Sequence, residues 1–286
     1  MQFQKLDGLR TNLYLNEKIS SGMPFAAGKI GNCELMCIYN YYFFQSKNQP
    51  IQWNQTIINE IYKNAGVFPQ TEQQRIKFVL TLEKSIENID GLVSWSNFNR
   101  EFEARFIKRN NSNCTLLDLE GLEPYYFGYP WTQYLKNKTV LVISPFKKSI
   151  ESQFLRRNKI WDDNRLLCFN LKTLEFPLSP AINNNKTDYQ TWNDLIDAYK
   201  YKISNENFDF AIVGVGAASL PLCSFIKSIN KQAIHLGGPT QILFGIKGLR
   251  WDMTDAIRCF YNENWIRPSE EEKPISYKEI EDGGYW

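Results

Sequence analysis

FDFAIVGVGAASLPLCSFIKSINKQAIHLGGPTQILFGIKGLRW, residues Phe208 to Trp251, decides the fold. Phe208–Val213 is a short apolar strand that ends at Gly214-Val215-Gly216. Leu220–Ile229 reads as a helix with Leu220, Cys223, Phe225 and Ile226 on its inner side. Gln232–Leu236 is a second strand, ending at Gly237-Gly238. Strand, glycine turn, helix, strand and glycine turn in succession predict a right-handed βαβ unit with both turns at the carboxyl ends of parallel strands. Ligands bind at that edge, where glycines let the backbone approach an anion and a following helix start offers N–H donors. The turns are equally compatible with plain chain reversal, since Gly214-x-Gly216 without a third glycine is a partial dinucleotide fingerprint.

Working outward, strand-like and helical segments alternate without a linker or repeat. This predicts one α/β, Rossmann-like domain over residues 1–286, with a mostly parallel sheet flanked by helices. Strands are expected at Phe25–Gly28, Gly91–Trp95, Cys114–Asp118, Lys138–Ser144 and Leu166–Asn170. Helices are expected at Cys33–Phe44, Ile51–Asn64, Thr71–Asn88, Arg100–Arg109, Lys147–Asn158 and Trp192–Ile203, with a polar loop at Asn183–Asn185. Lys138–Ser144, KTVLVIS, is the kind of β-branched run that a parallel sheet buries on both faces. The acidic segment 267–286 reads as an irregular tail or flap.

Composition narrows the function. A hydrophobic content of 43% with 15% aromatics supplies a core, and 33 basic against 31 acidic side chains leave a net charge of +2. That balance argues against nucleic acid as the partner. Six scattered cysteines without a CxxC pair look like buried thiols in a reducing compartment. No apolar stretch resembles a signal sequence or a membrane span, so a cytoplasmic protein is expected, with contact to a membrane surface as an option.

The first strand runs into Gly28-Lys29-Ile30-Gly31-Asn32-Cys33-Glu34. Asn32 is placed to cap the next helix and Glu34 to sit in its first turn, where the helix dipole favours a carboxylate. The same residues suit a phosphate or a metal–diphosphate, with Lys29 neutralising charge. Ser144 closes the strongest strand, and Lys147 and Lys148 open the next helix, which offers a hydroxyl, backbone N–H groups and two ammonium groups to a diphosphate. His235, the only histidine, is read either as a hydrogen-bonded core ring or as a site residue. Gln241, Lys247 and Arg250 either contact a nucleotide or phosphate or cap a helix C-terminus. Asp118, Glu120 and Glu123 stand beside Tyr125, Tyr126, Tyr129 and Trp131. Carboxylates next to aromatics suit a sugar cleft, although aromatics at this density also build cores.

The stretch from Lys29 to Glu34 resembles the Arg-x-Gly-Asp-Gly-Glu motif of GT-D type glycosyltransferases. Lys29 stands at its arginine, Gly31 at its first glycine, Asn32 at its aspartate, Cys33 at its second glycine and Glu34 at its glutamate. LEPYYFGYPW (Leu122–Trp131), KTVLVISPF (Lys138–Phe146) and AIHLGGPTQILFGIKGLRW (Ala233–Trp251) are similar to segments of bacterial and viral polysaccharide-biosynthesis proteins of that group. The resemblance implies transfer of a sugar from a nucleotide-sugar donor to a hydroxyl of a glycan, polysaccharide or glycoconjugate. It implies donor contacts from Gly28, Lys29, Gly31, Asn32, Ser144, Lys147, Gly214, Gly216, His235, Gly237, Gly238, Gln241, Lys247 and Arg250. Glu34 would orient the donor or hold Mn or Mg, and Asn32, lacking an ionised oxygen, weakens the implied metal requirement. Asp118, Glu120 and Glu123 are the candidate bases. Two rivals remain: a glycan methyltransferase, which calls for a ribose-binding acid at the end of the strand after the first glycine turn, and a non-catalytic nucleotide- or sugar-binding module.

Overall fold

The computed structural model describes residues 3–177 and 189–286, so the loop expected at Asn183–Asn185 lies outside the described residues. Among the described residues seven strands form one sheet: β1 (Phe25–Lys29), β2 (Gly91–Val93), β3 (Thr115–Leu117), β4 (Thr139–Ser144), β5 (Asn170–Glu175), β6 (Phe210–Val213) and β7 (Gln232–His235). Their order is β3-β2-β1-β7-β6-β4-β5, and all pairs are parallel. The unit read from the opening stretch is present. β6 and β7 pair from Phe210↔Gln232 to Val213↔His235, joined by the helix Ser219–Ser228. Both strands are buried along their whole length, which is why they read as unbroken apolar runs.

Alternate strand residues feed two cores, one on each face of the sheet. Ala26, Leu141, Ile143, Ala211, Val213 and Ala233 point to the first, where the helices Asn32–Ser46, Glu72–Ile86, Trp192–Ser204 and Ser219–Ser228 pack through Leu35, Phe78, Trp192 and Leu222. Phe25, Ala27, Val140, Val142, Phe210, Ile212 and Ile234 point to the second. There they meet the helices Gly8–Ser20, Lys147–Leu155 and Pro239–Leu243 through Leu15, Ile150 and Ile242. Neighbouring central strands therefore send their following helices to opposite faces: β1 and β6 to the first, β7 and β4 to the second. Helices that diverge in this way leave a crevice beyond the strand ends.

Two elements depart from expectation. The fifth strand is Asn170–Glu175 and not Leu166–Asn170, whose start is a 3-10 turn, Asn164–Leu166. Leu166 and Phe169 are buried under the sheet edge, whereas β5, as the edge strand, is only half-buried and shows no apolar run. The helix Gly8–Ser20 escapes a hydrophobic reading because its inward stripe carries Thr11, Asn12 and Asn16. Both amides donate to the Tyr129 carbonyl, at 2.9 and 3.1 Å. Segment 267–286 is irregular, made of 3-10 turns, yet it is packed: Ile280 and Trp286 are buried in the second core. Among the thiols, Cys37, Cys114 and Cys223 are buried, while Cys168 and Cys259 are exposed. No helix among the described residues is long and apolar enough to cross a membrane.

Candidate active site

The crevice is a cavity of about 550 Å³ lined by the turns after β1, β4, β6 and β7, with Trp95 after β2 and the segment Ile280–Tyr285 on its outer side. β1 and β7 approach closely because Gly28 has no side chain: a Cβ there would lie 2.5 Å from that of His235. Gly237 turns with φ of +72°, which leaves the Lys29 ammonium folded over it. Ionisable groups then converge. Lys29 stands above the Trp95 ring at 5.5 Å and has no hydrogen-bond or ion-pair partner among the described residues. Burial lowers its proton affinity, and Glu123 partly restores it.

Two carboxylates face this cation. Glu34 lies in the first turn of Asn32–Ser46, its carboxylate folded back over Gly31. Burial pushes its pKa up to about 7, against the hydrogen bond to its own backbone N–H, and the Glu281 charge adds to the rise. Glu123 follows the short helix Leu119–Leu122 and accepts a 2.6 Å hydrogen bond from Tyr125 Oη. Burial raises its pKa too, opposed by Lys29, by Tyr125 and by Arg250. His235 is buried and neutral, its pKa pushed down to about 3 by burial and by the Lys29 charge. Its Nδ1 and the Thr240 Oγ1 are buried without a hydrogen-bond partner among the described residues. Both residues line the cavity, where a polar ligand would meet them.

Of the residues singled out in the sequence, Lys29, Gly31, Asn32, Glu34, Glu123, Ser144, Gly214, Gly216, His235, Gly237, Gly238, Gln241 and Arg250 are brought together on the cavity lining, with Gly28 directly behind them. Asn32 is not the helix cap: Gly31 holds that position, and Asn32 Oδ1 accepts from Ser96 Oγ at 3.1 Å. Gln241 is engaged at both ends, donating to the Tyr285 carbonyl at 2.9 Å and accepting from Trp251 Nε1 at 3.3 Å.

Asp118, Glu120, Lys147 and Lys247 lie off the lining. Asp118 caps the helix Leu119–Leu122 and pairs with Lys5 at 2.5 Å, Glu120 is exposed beside Gly8, and Lys247 stands over the Tyr261 ring at 5.1 Å. The helix start behind Lys147 is not free for a diphosphate, because Glu272 accepts from Lys148 N at 2.6 Å, Ser149 N at 3.2 Å and Ser149 Oγ. Of the loop aromatics, Tyr125 and Trp131 are core residues and Tyr129 is exposed.

Sequence reading missed Thr240, Asn64, Glu281 and Tyr285. The signal for the last two was the aromatic terminus Tyr285-Trp286 closing an otherwise acidic segment. Among the described residues no group of three or more His, Cys, Asp or Glu side chains is placed to hold a metal ion. With Asn32 Oδ1 already hydrogen-bonded and Glu34 turned onto its own helix start, the donor set does not fit a protein-held Mn or Mg.

No protein-family model and no curated protein matches this chain. A structural comparison finds similarity to a solved structure described as the selenomethionine-substituted domain of unknown function 1792, at 12% identity and a TM-score of 0.36, covering 80% of this chain and 82% of that one. At that score the likeness carries no argument about function.

Proposed function

We propose that the protein is a glycosyltransferase that moves a sugar from a nucleotide-sugar donor to a hydroxyl of a glycan, polysaccharide or glycoconjugate. The observation that carries the reading is the meeting of Lys29 and Arg250 with the buried carboxylates Glu34 and Glu123 at the glycine-turned ends of β1, β6 and β7. The likeness of Lys29–Glu34 to the GT-D motif supplies the reaction class, which a fold alone does not. The setting that goes with this reading is the cytoplasm or the face of a membrane.

In this scheme the donor diphosphate lies against the Gly214–Gly216 and Gly237–Gly238 turns, and Lys29 and Arg250 neutralise the charge that grows on it as the C1–O bond breaks. Glu123 takes the proton from the acceptor hydroxyl as that oxygen bonds to C1. Burial raises the proton affinity of Glu123 above that of an exposed carboxylate, as a base requires, and Lys29 opposes that rise. Glu34 orients the sugar. No step runs through a metal. The methyltransferase reading loses its required feature, since β7 ends at His235 and is followed by Leu236-Gly237 with no acid.

A thermal-shift screen against nucleoside diphosphates and nucleotide sugars, with manganese and with chelator, tests donor binding through mass action on the folded state. A rise in midpoint indifferent to manganese is expected, and no rise with any nucleotide sinks the reading. Glu123→Gln should keep that rise and lose turnover by about 10²–10⁴-fold. Unchanged turnover removes Glu123 as the base.

A further inference from the structure

On the reading of the cavity as a diphosphate site, we propose that Glu281 is a built-in stand-in for the ligand's phosphate, occupying Arg250 until the incoming diphosphate takes that guanidinium over. Arg250 and Glu281 form an ion pair on the cavity lining. Tyr285 Oη bridges them, donating to Glu281 Oε1 at 2.9 Å and lying 3.1 Å from Arg250 Nη1. The guanidinium is also stacked, 4.6 Å from the Trp251 ring and 5.2 Å from that of Tyr285. Arg250 therefore keeps its place when the carboxylate leaves, and the planar fork suits a phosphate as well as it suits Glu281.

Two further observations point to exchange and not to a fixed brace. Around the cavity two cations, Lys29 and Arg250, face three carboxylates, Glu34, Glu123 and Glu281. Of the three, Glu281 is the one that occupies Arg250, so an entering diphosphate meets that guanidinium already neutralised unless Glu281 withdraws. The backbone is also strained at this point: Glu281 and Asp282 hold φ of +45° and +53°, a region that non-glycine residues rarely occupy. Surrounding contacts enforce it. Glu281 N donates to Asn64 Oδ1 at 3.1 Å, and Lys63 pairs with Glu279 at 3.6 Å.

The segment is pinned on both sides, by Glu272 on the helix Lys147–Leu155 and by Trp286, whose carbonyl accepts from Leu249 N at 3.0 Å. Only the turn from Tyr277 to Gly283 has to give. The anionic ligand would thus both open the turn and be gripped by the residue that the turn releases.

Calorimetric titration of inorganic pyrophosphate and of nucleoside diphosphates into the wild-type chain, Glu281→Gln, Arg250→Ala and the double variant tests this, with thermal midpoints confirming folding. Glu281→Gln should bind about tenfold tighter and Arg250→Ala about tenfold weaker. In the double variant the gain from Glu281→Gln should vanish. Hydrogen exchange in 277–285 should quicken when pyrophosphate binds the wild type. Equal or weaker binding by Glu281→Gln, a gain that survives loss of Arg250, or no pyrophosphate binding by any form overturns the proposal. Pyrophosphate exchange at Arg250 without sugar transfer from any donor overturns the glycosyltransferase reading and leaves this one standing.

Discussion

Two of the helices that begin at the carboxyl edge of this sheet have starts built in opposite ways. At Asn32–Ser46 the cap is Gly31, which has no side chain to bond the first turn, and the carboxylate there is the helix's own Glu34, desolvated and held only by its own backbone N–H. At Lys147–Leu155 the exposed donors are sealed by Glu272, which also accepts from Ser269 N at 3.3 Å and reaches them from 123 and 124 residues away in the chain. Both starts read as anion sites in the sequence. The difference teaches that a strand-end helix offers a site only where the rest of the chain has not already supplied the anion. The C-terminal segment supplies two, Glu272 to a helix start that is closed and Glu281 to an arginine that faces the cavity.

The comparison breaks most directly at Glu272. Glu272→Ala leaves Ser149 N and Ser149 Oγ, both buried, and the part-buried Lys148 N without their acceptor, and a loss of about 3 kcal/mol is expected in urea denaturation. If that start is sealed in the wild type, sulfate should restore part of the loss in the variant and none in the parent. On the open side, Gly28→Ala forces β1 away from His235 and should cost about 2 kcal/mol while also weakening nucleotide binding. A substitution that is neutral in both measurements would mean that the close approach is not needed.

The sheet was legible in the sequence wherever a strand is buried on both faces. β4, β6 and β7 are apolar from end to end, and glycines mark where β6 and β7 stop. β5 and the helix Gly8–Ser20 were not, because an edge strand and a helix with an amide-bearing inner stripe lack the apolar period that a reader looks for. The site divides the same way. Lys29, Glu34 and the two glycine turns are local consequences of strand ends, so they could be found. Glu281, Tyr285 and Thr240 reach the cavity only through packing between distant segments, and Asp118 and Lys147 were drawn in by neighbours in sequence that are not neighbours in space.

The carboxylates at the two starts should also part company in their pH behaviour. Glu34 titrates near pH 7 in the fold against an ordinary value of 4.5. Between those values the folded chain holds a proton that the unfolded chain has released. Its contribution to stability therefore falls as pH rises through that window and is level above it. Allowing for its access to solvent in the cavity, the fall should be of the order of 2 kcal/mol, and Glu34→Gln should abolish it. A parent and variant with parallel stability from pH 4.5 to 8 would show that Glu34 is hydrated and that the open start is not desolvated.

The smallest effect expected is at Lys147, and it tests the sealed start from the ligand's side. Lys147 as a residue is half-buried, off the cavity lining, at the end of a helix whose dipole disfavours a cation. Beside it Lys148 is already paired with Glu271, and the backbone donors behind both are already bound to Glu272. A phosphate would therefore have to displace two carboxylates to gain one ammonium. Lys147→Ala should change stability by no more than about 0.5 kcal/mol and leave nucleoside diphosphate affinity where it was, whereas Lys29→Ala should weaken it about tenfold. A tenfold loss at Lys147 instead would mean that Glu272 yields to the ligand as Glu281 is proposed to, and the two starts would then differ only in which carboxylate is displaced.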